Sequence, residues 1–487
     1  MMITPNSEQQ YIDLYKQCRT MIHEHSSDVM NNVRDEAFER FAAAGFPSRK
    51  APIKRVKSDA RIGSSECEEA RRIAKVERYK YTDIQKLFAP DYGLNLNRLT
   101  IPVDPYKAFR CDVPNLSTSL YFVVNDEFYS DEGLEVRGEK IPHANPHLPD
   151  GVIIGSLKEQ TSHPLTSSPT HLYNQLAGKA NDATTDLNTM LAQDGLYVYV
   201  PKNVKVDRAI QVINILRSDV DLMVNRRVLI VLEEGAELKM LFCDHAADDK
   251  NFLTTQVIEA YVGENASLDL YCLEETHHKN VRVSNVYIDQ QRDSRVNHNV
   301  ITLHNGVTRN KLDLTFSGEG AECQCYGCVI ADKQQHVDNN TLITHQVPHC
   351  TSNELYKYVL DNQATGAFAG RVLVEHGAQK TTSQMTNQNL TATKEARMYT
   401  QPMLEIYADD VKCAHGSTVG QLNDAALFYM RQRGISLEEA KVLLQNAFIN
   451  EVIDKMQLEP LRDRLHYLVE KRFRGELNKC KGCQLCK

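Results

Sequence analysis

The stretch "ADDVKCAHGSTVGQ", residues 408–421, sets a cysteine and a histidine two residues apart, between a pair of acids and a Gly-Ser-Thr turn. If the run is an extended strand, Cys413 and His415 point the same way, roughly 7 Å apart along the backbone. A thiolate and an imidazole so placed can both reach one iron or one edge of an iron–sulfur cluster. Two other roles stay open: a nucleophile with its base, or two side chains filling a core. Cysteine proteases take their base from a distant segment, and no oxyanion arrangement is visible here. A tight metal site normally takes four ligands, so two alone mean either no site or one completed by another chain.

Residues 479–487, "KCKGCQLCK", form a second constellation. Cys480, Cys483 and Cys486 have the spacing C-x2-C-x2-C, three of the four ligands of a ferredoxin-type run without its fourth cysteine and proline. Three thiolates can hold a cluster or a zinc ion with a ligand from elsewhere; a terminus that binds metal adventitiously is the alternative. Other motifs fail. "HGAQKTT" at 376–382 lacks the first glycine and spacer of a P-loop, so no nucleotide site is expected in this chain. In "CQCYGC", Cys323 and Cys325 share one face of a strand, where free thiols pack as small hydrophobes; core packing is expected there rather than ligation. His277, His278, His345 and His349 have no partner at ligand spacing and read as ordinary polar residues.

The elements that must position these residues change in texture along the chain. Tyr11, Leu14, Tyr15 and Cys18 lie on one helical face, and Phe38, Phe41 and Ala42 continue the style. A basic insertion near 50–76 then reads as a solvated segment. From about Leu120 the period becomes two: "SLYFVVNDEFY", "GLYVYVPKNV", "AIQVINIL", "RRVLIVLEE" and "AELKMLFC" are short β-rich runs between turn residues. One helical excursion, about 170–193, interrupts them. A turn pair recurs at 235–236, 265–266, 320–321 and 377–378; the intervals of 30, 55 and 57 residues approximate one and two units of a common repeat. That period favours a β-solenoid over sandwiches, which would show a linker. Beyond Gly420 the text is helical. Asn423 or Asp424 starts a short helix, and Ser436 with Glu439 forms a capping box. Ala440, Leu443, Leu444, Ala447 and Phe448 then make an apolar stripe. The stripe either caps the solenoid's end or receives a partner. The expected organisation is an N-terminal helical region over 1–115, a β-helix core over 116–418 and a C-terminal helical region with a Cys-rich tail over 419–487.

Composition narrows the classes. Of 487 residues 42% are hydrophobic and 25% charged, so the chain can bury a large core. A formal net charge of -8 argues against general affinity for nucleic acid or anionic membrane. No apolar run approaches the roughly 20 residues that span a bilayer, and the N-terminus does not read as a signal peptide. Thirteen cysteines, an odd number and mostly scattered, fit thiols in a reducing compartment, so a cytoplasmic location is expected.

Four ordered stretches, "TSNELYKYVL", "GAFAGRVLVEHGAQKTTSQMTNQNL", "MLEIYADDVKCAHGSTVGQL" and "LFYMRQRGISLEEA", resemble the SufB/SufD family of iron–sulfur cluster assembly proteins. Weaker matches at "DLNTMLAQDGLYVYVPKNV" and "FERFAAAGFPSRK" extend the resemblance over about the whole chain. Within the family "KCAHGSTVGQL" is similar to the SufD pattern, since SufB-type chains carry a glutamate where Gly416 stands. The resemblance implies a mainly β protein: a right-handed parallel β-helix flanked by N- and C-terminal helical regions. It implies a scaffold subunit and not an enzyme alone, pairing with a SufB-like chain through the β-helix. A SufC-like ATPase would bind the C-terminal helices, about 422–456, and a homodimer is a further possible state. A transient iron–sulfur cluster would form at the subunit interface, where Cys413 and His415 match the SufD cysteine and histidine. Three features depart from the pattern: the basic insertion, "NLTAT" at 389–393 and the CxxCxxC tail, to which the resemblance assigns no role. The rival classes are a stand-alone metal protein using that tail and a β-helix carbohydrate-active enzyme. The latter needs a cleft of paired carboxylates and is usually exported.

Overall fold

A computed structural model describes residues 7–47, 77–99, 105, 118–129, 135–136, 139–140, 148–162 and 169–476. The basic insertion near 50–76 and the three tail cysteines lie outside the described residues.

The chain is built around a parallel β-solenoid of about eight turns. Strands alternate between two sheets, so each coil adds one strand to a ten-stranded sheet and one to a nine-stranded sheet. From Glu237 onward most strands are ten residues long and pair in register with the coils before and after. Stacking puts the same register position of successive coils in one column, and the inward columns form the core. One column runs Leu238, Leu268, Val296, Cys323, Ser352, Ser383, Cys413. A second runs Met240, Leu270, His298, Cys325, Glu354, Met385, His415. Both begin aliphatic; the first passes to Cys and Ser, and the second mixes polar residues with Met385 from His298 onward.

The recurrent turn pair falls where the chain passes from the nine-stranded to the ten-stranded sheet. Gly235 (φ 67°) and Gly320 (φ 72°) take the left-handed conformation, and Asn265 and Asp293 take it at the equivalent positions of other coils. Each such N–H bonds a carbonyl of the next coil: Gly235 to Glu264, Asn265 to Arg292 and Asp293 to Glu319, at 2.8–2.9 Å. The corners thereby stack as regularly as the strands, which is the physical basis of the repeat legible in the sequence.

The N-terminal helices cover the outward face of the nine-stranded sheet. Tyr11, Tyr15, Phe41 and Phe88 pack with Leu187, Met190 and Leu191 onto Met223, Leu253 and Val283. Arg34, fully buried, donates to the carbonyls of Met190 (2.9 Å) and Ala192 (2.8 Å), groups the end of helix Ala183–Leu191 leaves unsatisfied. The segment before that helix is held by a buried ion pair. Glu259 receives Arg227 at 2.6 Å and the backbone N–H groups of Asn174, Leu176 and Ala177. Such a pair persists because its remaining lone pairs are satisfied.

The C-terminal helices lie along the solenoid's side and do not cap its end. Helices Leu437–Ile453 and Glu459–Phe473 bury Ile449, Val452, Ile453, Leu461, Leu465 and Leu468 against Leu241, Leu273, Ile301, Leu355 and Val359. Those sheet residues give the outward face of the ten-stranded sheet its apolar surface, and so draw the helices to it. Lys357 adds a tether: its Nζ bonds the Phe448 carbonyl (3.1 Å) and pairs with Glu451. The apolar stripe read from sequence is only partly used. Ala440 is buried, Leu444 and Phe448 are half-buried, and Leu443 is 40% exposed. No helix among the described residues is long and apolar enough to cross a membrane.

Candidate functional site

Strand Lys412–Gly420 is the last of the ten-stranded sheet and pairs on one side only, with Thr382–Thr391. Strand Arg397–Ile406 ends the other sheet in the same way. Among the described residues both edges of the final coil are therefore open, with backbone N–H and C=O groups that have no strand partner. The two edge strands are tied to one another by Thr400 Oγ1 and Ser417 Oγ, 2.6 Å apart. Asn389, in the departing "NLTAT" run, is buried and polar for a local reason. Its amide donates to Asn387 Oδ1 (2.7 Å) and to the Thr418 carbonyl (2.8 Å), fastening the last strand to its neighbour.

Cys413 and His415 stand on the inward side of this open coil. Cys413 is opposite Ser383 and His415 opposite Met385, both buried inward-facing residues. Cys413 is half-buried against the solenoid core, and that burial raises its thiol pKa, opposed by the Ser383 backbone N–H. His415 is exposed, and among the described residues no further coil covers it. Sequence spacing and register thus put the two side chains on the same face, at the last level of the core among the described residues. Gly416 points to the other side, where an added Cβ would meet nothing within 4 Å. Packing does not require glycine there.

Among the described residues no three His, Cys, Asp or Glu side chains are placed to share a metal ion. The residues present supply one soft sulfur and one nitrogen donor with open space beyond them. A thiolate and an imidazole are donors that iron accepts, and two of them alone fall short of a full ligand set. Cys323 and Cys325 lie buried on the inward face, and Cys328 lies outward beneath the C-terminal helices, so the "CQCYGC" thiols are divided between two cores.

Apart from Leu99 and Val220, the exposed large apolar residues among those described fall in the final coil and on the following helices. Tyr399, Met403, Ile406, Tyr407 and Val419 belong to the final coil. Helix Asp424–Gln432, capped by Asn423 Oδ1 on the N–H groups of Ala425 and Ala426, buries no residue and leaves Phe428 65% and Tyr429 59% exposed. Sequence reading missed the exposure of this helix, because its apolar residues alone do not show which of them a neighbour covers. It also missed the buried charges of the interior, such as Asp244 held between Arg226 (2.7 Å) and Arg282 (2.8 Å). Alternation within a strand marks the inward face but not the cross-coil partner that makes a charge tolerable there.

A parallel β-solenoid whose final coil, among the described residues, has an unpaired edge in each sheet is a repeat scaffold. The chain belongs to the SufBD family of iron–sulfur cluster assembly proteins. The family model described as the SUF system FeS cluster assembly SufBD core domain matches residues 215–448, and that of the SufBD N-terminal region matches 5–53 and 67–212. The unmatched interval falls inside the basic insertion. An iron–sulfur cluster assembly SufBD family protein of Synechocystis is 28% identical over 81% of this chain and 85% of its own length. The iron–sulfur cluster assembly protein SufD of Escherichia coli is 34% identical over 36% of this chain and 41% of its own. SufD of Bacillus subtilis is 25% identical over 60% and 67%, respectively.

Proposed function

We propose that this chain is a SufD-type scaffold subunit that joins a SufB-like chain end to end and lends Cys413 and His415 to a nascent iron–sulfur cluster. The observation that carries the reading is the open final coil, with both residues on its inward side and strand edges free in both sheets. A second solenoid adding its own last strands would satisfy those edges and cover the exposed apolar residues around them. It would also bring the remaining ligands over Cys413 and His415. The SufB-like partner carries a glutamate where this chain has Gly416, so the carboxylate comes from the partner and the soft sulfur and imidazole from here. Cys413 acts as thiolate and His415 as neutral nitrogen donor. The cluster is cargo: two ligands from each side hold it weakly enough to be passed on.

The exposed helix Asp424–Gln432 and the outer face of Leu437–Ile453 receive a SufC-like ATPase. ATP hydrolysis there moves the helices against the solenoid side and opens or strains the end-to-end joint. Co-expression with SufB-like and SufC-like chains, followed by cluster reconstitution, tests the proposal. Cluster yield is expected to fall strongly when Cys413→Ala and His415→Ala are combined, with the three-chain complex still intact on gel filtration. Full yield in that double variant removes the site assignment. A complex that fails to form with unaltered chains removes the partner assignment.

A further inference from the structure

The inward column that ends at Cys413 changes chemistry just before it. Leu238, Leu268, Val296 and Cys323 fill its earlier levels, and Ser352 and Ser383 occupy the two levels before Cys413. Both serines are buried. Ser352 Oγ donates to Ser383 Oγ at 2.8 Å and lies 3.0 Å from His345 Nε2. His345 comes from the facing sheet and is fully buried. Its ring centroid is 4.5 Å from that of Phe316, and its register partner in the next coil is Val374. Hydroxyls and imidazole are thus set together in the two coils that precede the candidate ligand.

These three groups make a chain with one direction. A hydroxyl has a single hydrogen to give. Ser352 gives its own to Ser383, so at its other contact it accepts, and His345 Nε2 carries the proton. Burial lowers the His345 pKa to about 3, so the ring is neutral at pH 7 and Nδ1 holds a lone pair. Nδ1 is the ring nitrogen without a partner among the described residues, and this tautomer leaves no buried N–H unpaired there. Ser383 Oγ accepts from Ser352, and its own hydrogen has no acceptor among the described residues. The register partner of Ser383 in the next coil is Cys413, and the Ser383 backbone N–H already bears on the Cys413 thiol.

We infer that the Ser383 hydroxyl, oriented by Ser352 and His345, donates a hydrogen bond to the Cys413 sulfur and is a positioning residue for the iron–sulfur cargo. The inference rests on the reading of Cys413 as a ligand. A thiolate sulfur bound to iron keeps lone pairs that accept such a bond, and hydrogen bonds to ligand sulfurs set the potential of a cluster. The sign follows from charge. Reduction makes the cluster more negative, a donor stabilises that state more, and the potential rises. The support is directed at sulfur: below His415 the same level carries Met385, whose thioether has no hydrogen to donate.

The test measures the midpoint potential of cluster reconstituted on the complex of this chain with SufB-like and SufC-like chains. Ser383→Ala is expected to shift the potential to more negative values. Ser383→Thr, which keeps the hydroxyl, should restore it. His345→Phe, which removes the N–H that orients Ser352, should shift it in the same direction by less. An unshifted potential in Ser383→Ala, or an equal shift in Ser383→Thr, overturns the inference. A second measurement needs neither cluster nor partner. In ¹⁵N spectra of the unaltered chain alone, His345, identified by the signals that His345→Phe removes, should be neutral with its proton on Nε2. A proton on Nδ1 instead reverses the chain and overturns the inference. The two readings fail separately. Full cluster yield in the Cys413→Ala, His415→Ala double variant removes the ligand reading and the inference with it. Lost yield there with an unshifted Ser383→Ala potential leaves the ligands standing and removes the hydroxyl alone.

Discussion

At the scale of single residues, the inward column that ends at His415 illustrates how burial decides chemistry. Glu354, two coils below His415, is fully buried, and burial outweighs the Thr341 hydroxyl to push its pKa up to about 7 from the ordinary 4.5. Below the ordinary value the carboxyl is protonated in both folded and unfolded chains and has no effect. Between 4.5 and about 7 the unfolded chain releases the proton and the folded chain keeps it, so stability falls as pH rises through this window. The loss is on the order of 3 kcal/mol above the window. Glu354→Gln is therefore expected to stabilise more at about pH 8 than at about pH 5, by thermal melts at both values. Equal shifts at the two pH values would refute the account. Gly416 supports a prediction of the opposite kind. Because an added Cβ meets nothing, Gly416→Glu should change stability by no more than about 0.5 kcal/mol while altering cluster yield in the assembled complex.

At the scale of elements, one helix carries two faces in different surroundings. The face of Leu437–Ile453 that includes Ile449 and Val452 is buried on the sheet, while Leu443 is exposed, as are Phe428 and Tyr429 of the preceding helix. Ile449→Ala should cost about 2–5 kcal/mol of stability by denaturant unfolding, as an emptied core position does. Leu443→Ala together with Phe428→Ala should leave stability nearly unchanged and weaken binding of the SufC-like ATPase, measured by calorimetry. A large stability loss in the second pair would mean that the outer face is structural. The helical stripe was legible in the sequence at Ala440, Leu444 and Phe448, but a stripe of 3.6-residue period does not show how wide the covered sector is. That depends on the sheet beneath.

At the scale of the whole molecule, a solenoid has two ends and needs both managed. The exposed tyrosines, methionine and valine of the final coil lie beside two open strand edges, a combination that promotes association between chains. Alone in solution the chain is expected to self-associate through this end with rising concentration. Val419→Lys with Met403→Lys should shift sedimentation toward monomer without lowering the melting temperature. Addition of a SufB-like chain should compete with the self-association, and independence of the two equilibria would show that they use different surfaces.

The sequence by itself determined the solenoid and the helices on either side of it. The corner repeats at 235–236, 265–266 and 320–321 are local backbone requirements, and local requirements are written residue by residue. It likewise determined that Cys413 and His415 share a face, because two residues is the period of a strand. Only the tertiary structure decided that this face belongs to the last coil and lies uncovered, since that depends on how many coils stack and where stacking stops. It also decided that the C-terminal helices run along the side and leave the end free. It brought Arg472, at the end of the final helix, onto the Leu303 carbonyl, across a separation of 169 residues. Such meetings are set by contacts between residues far apart in the chain, which no window of sequence contains.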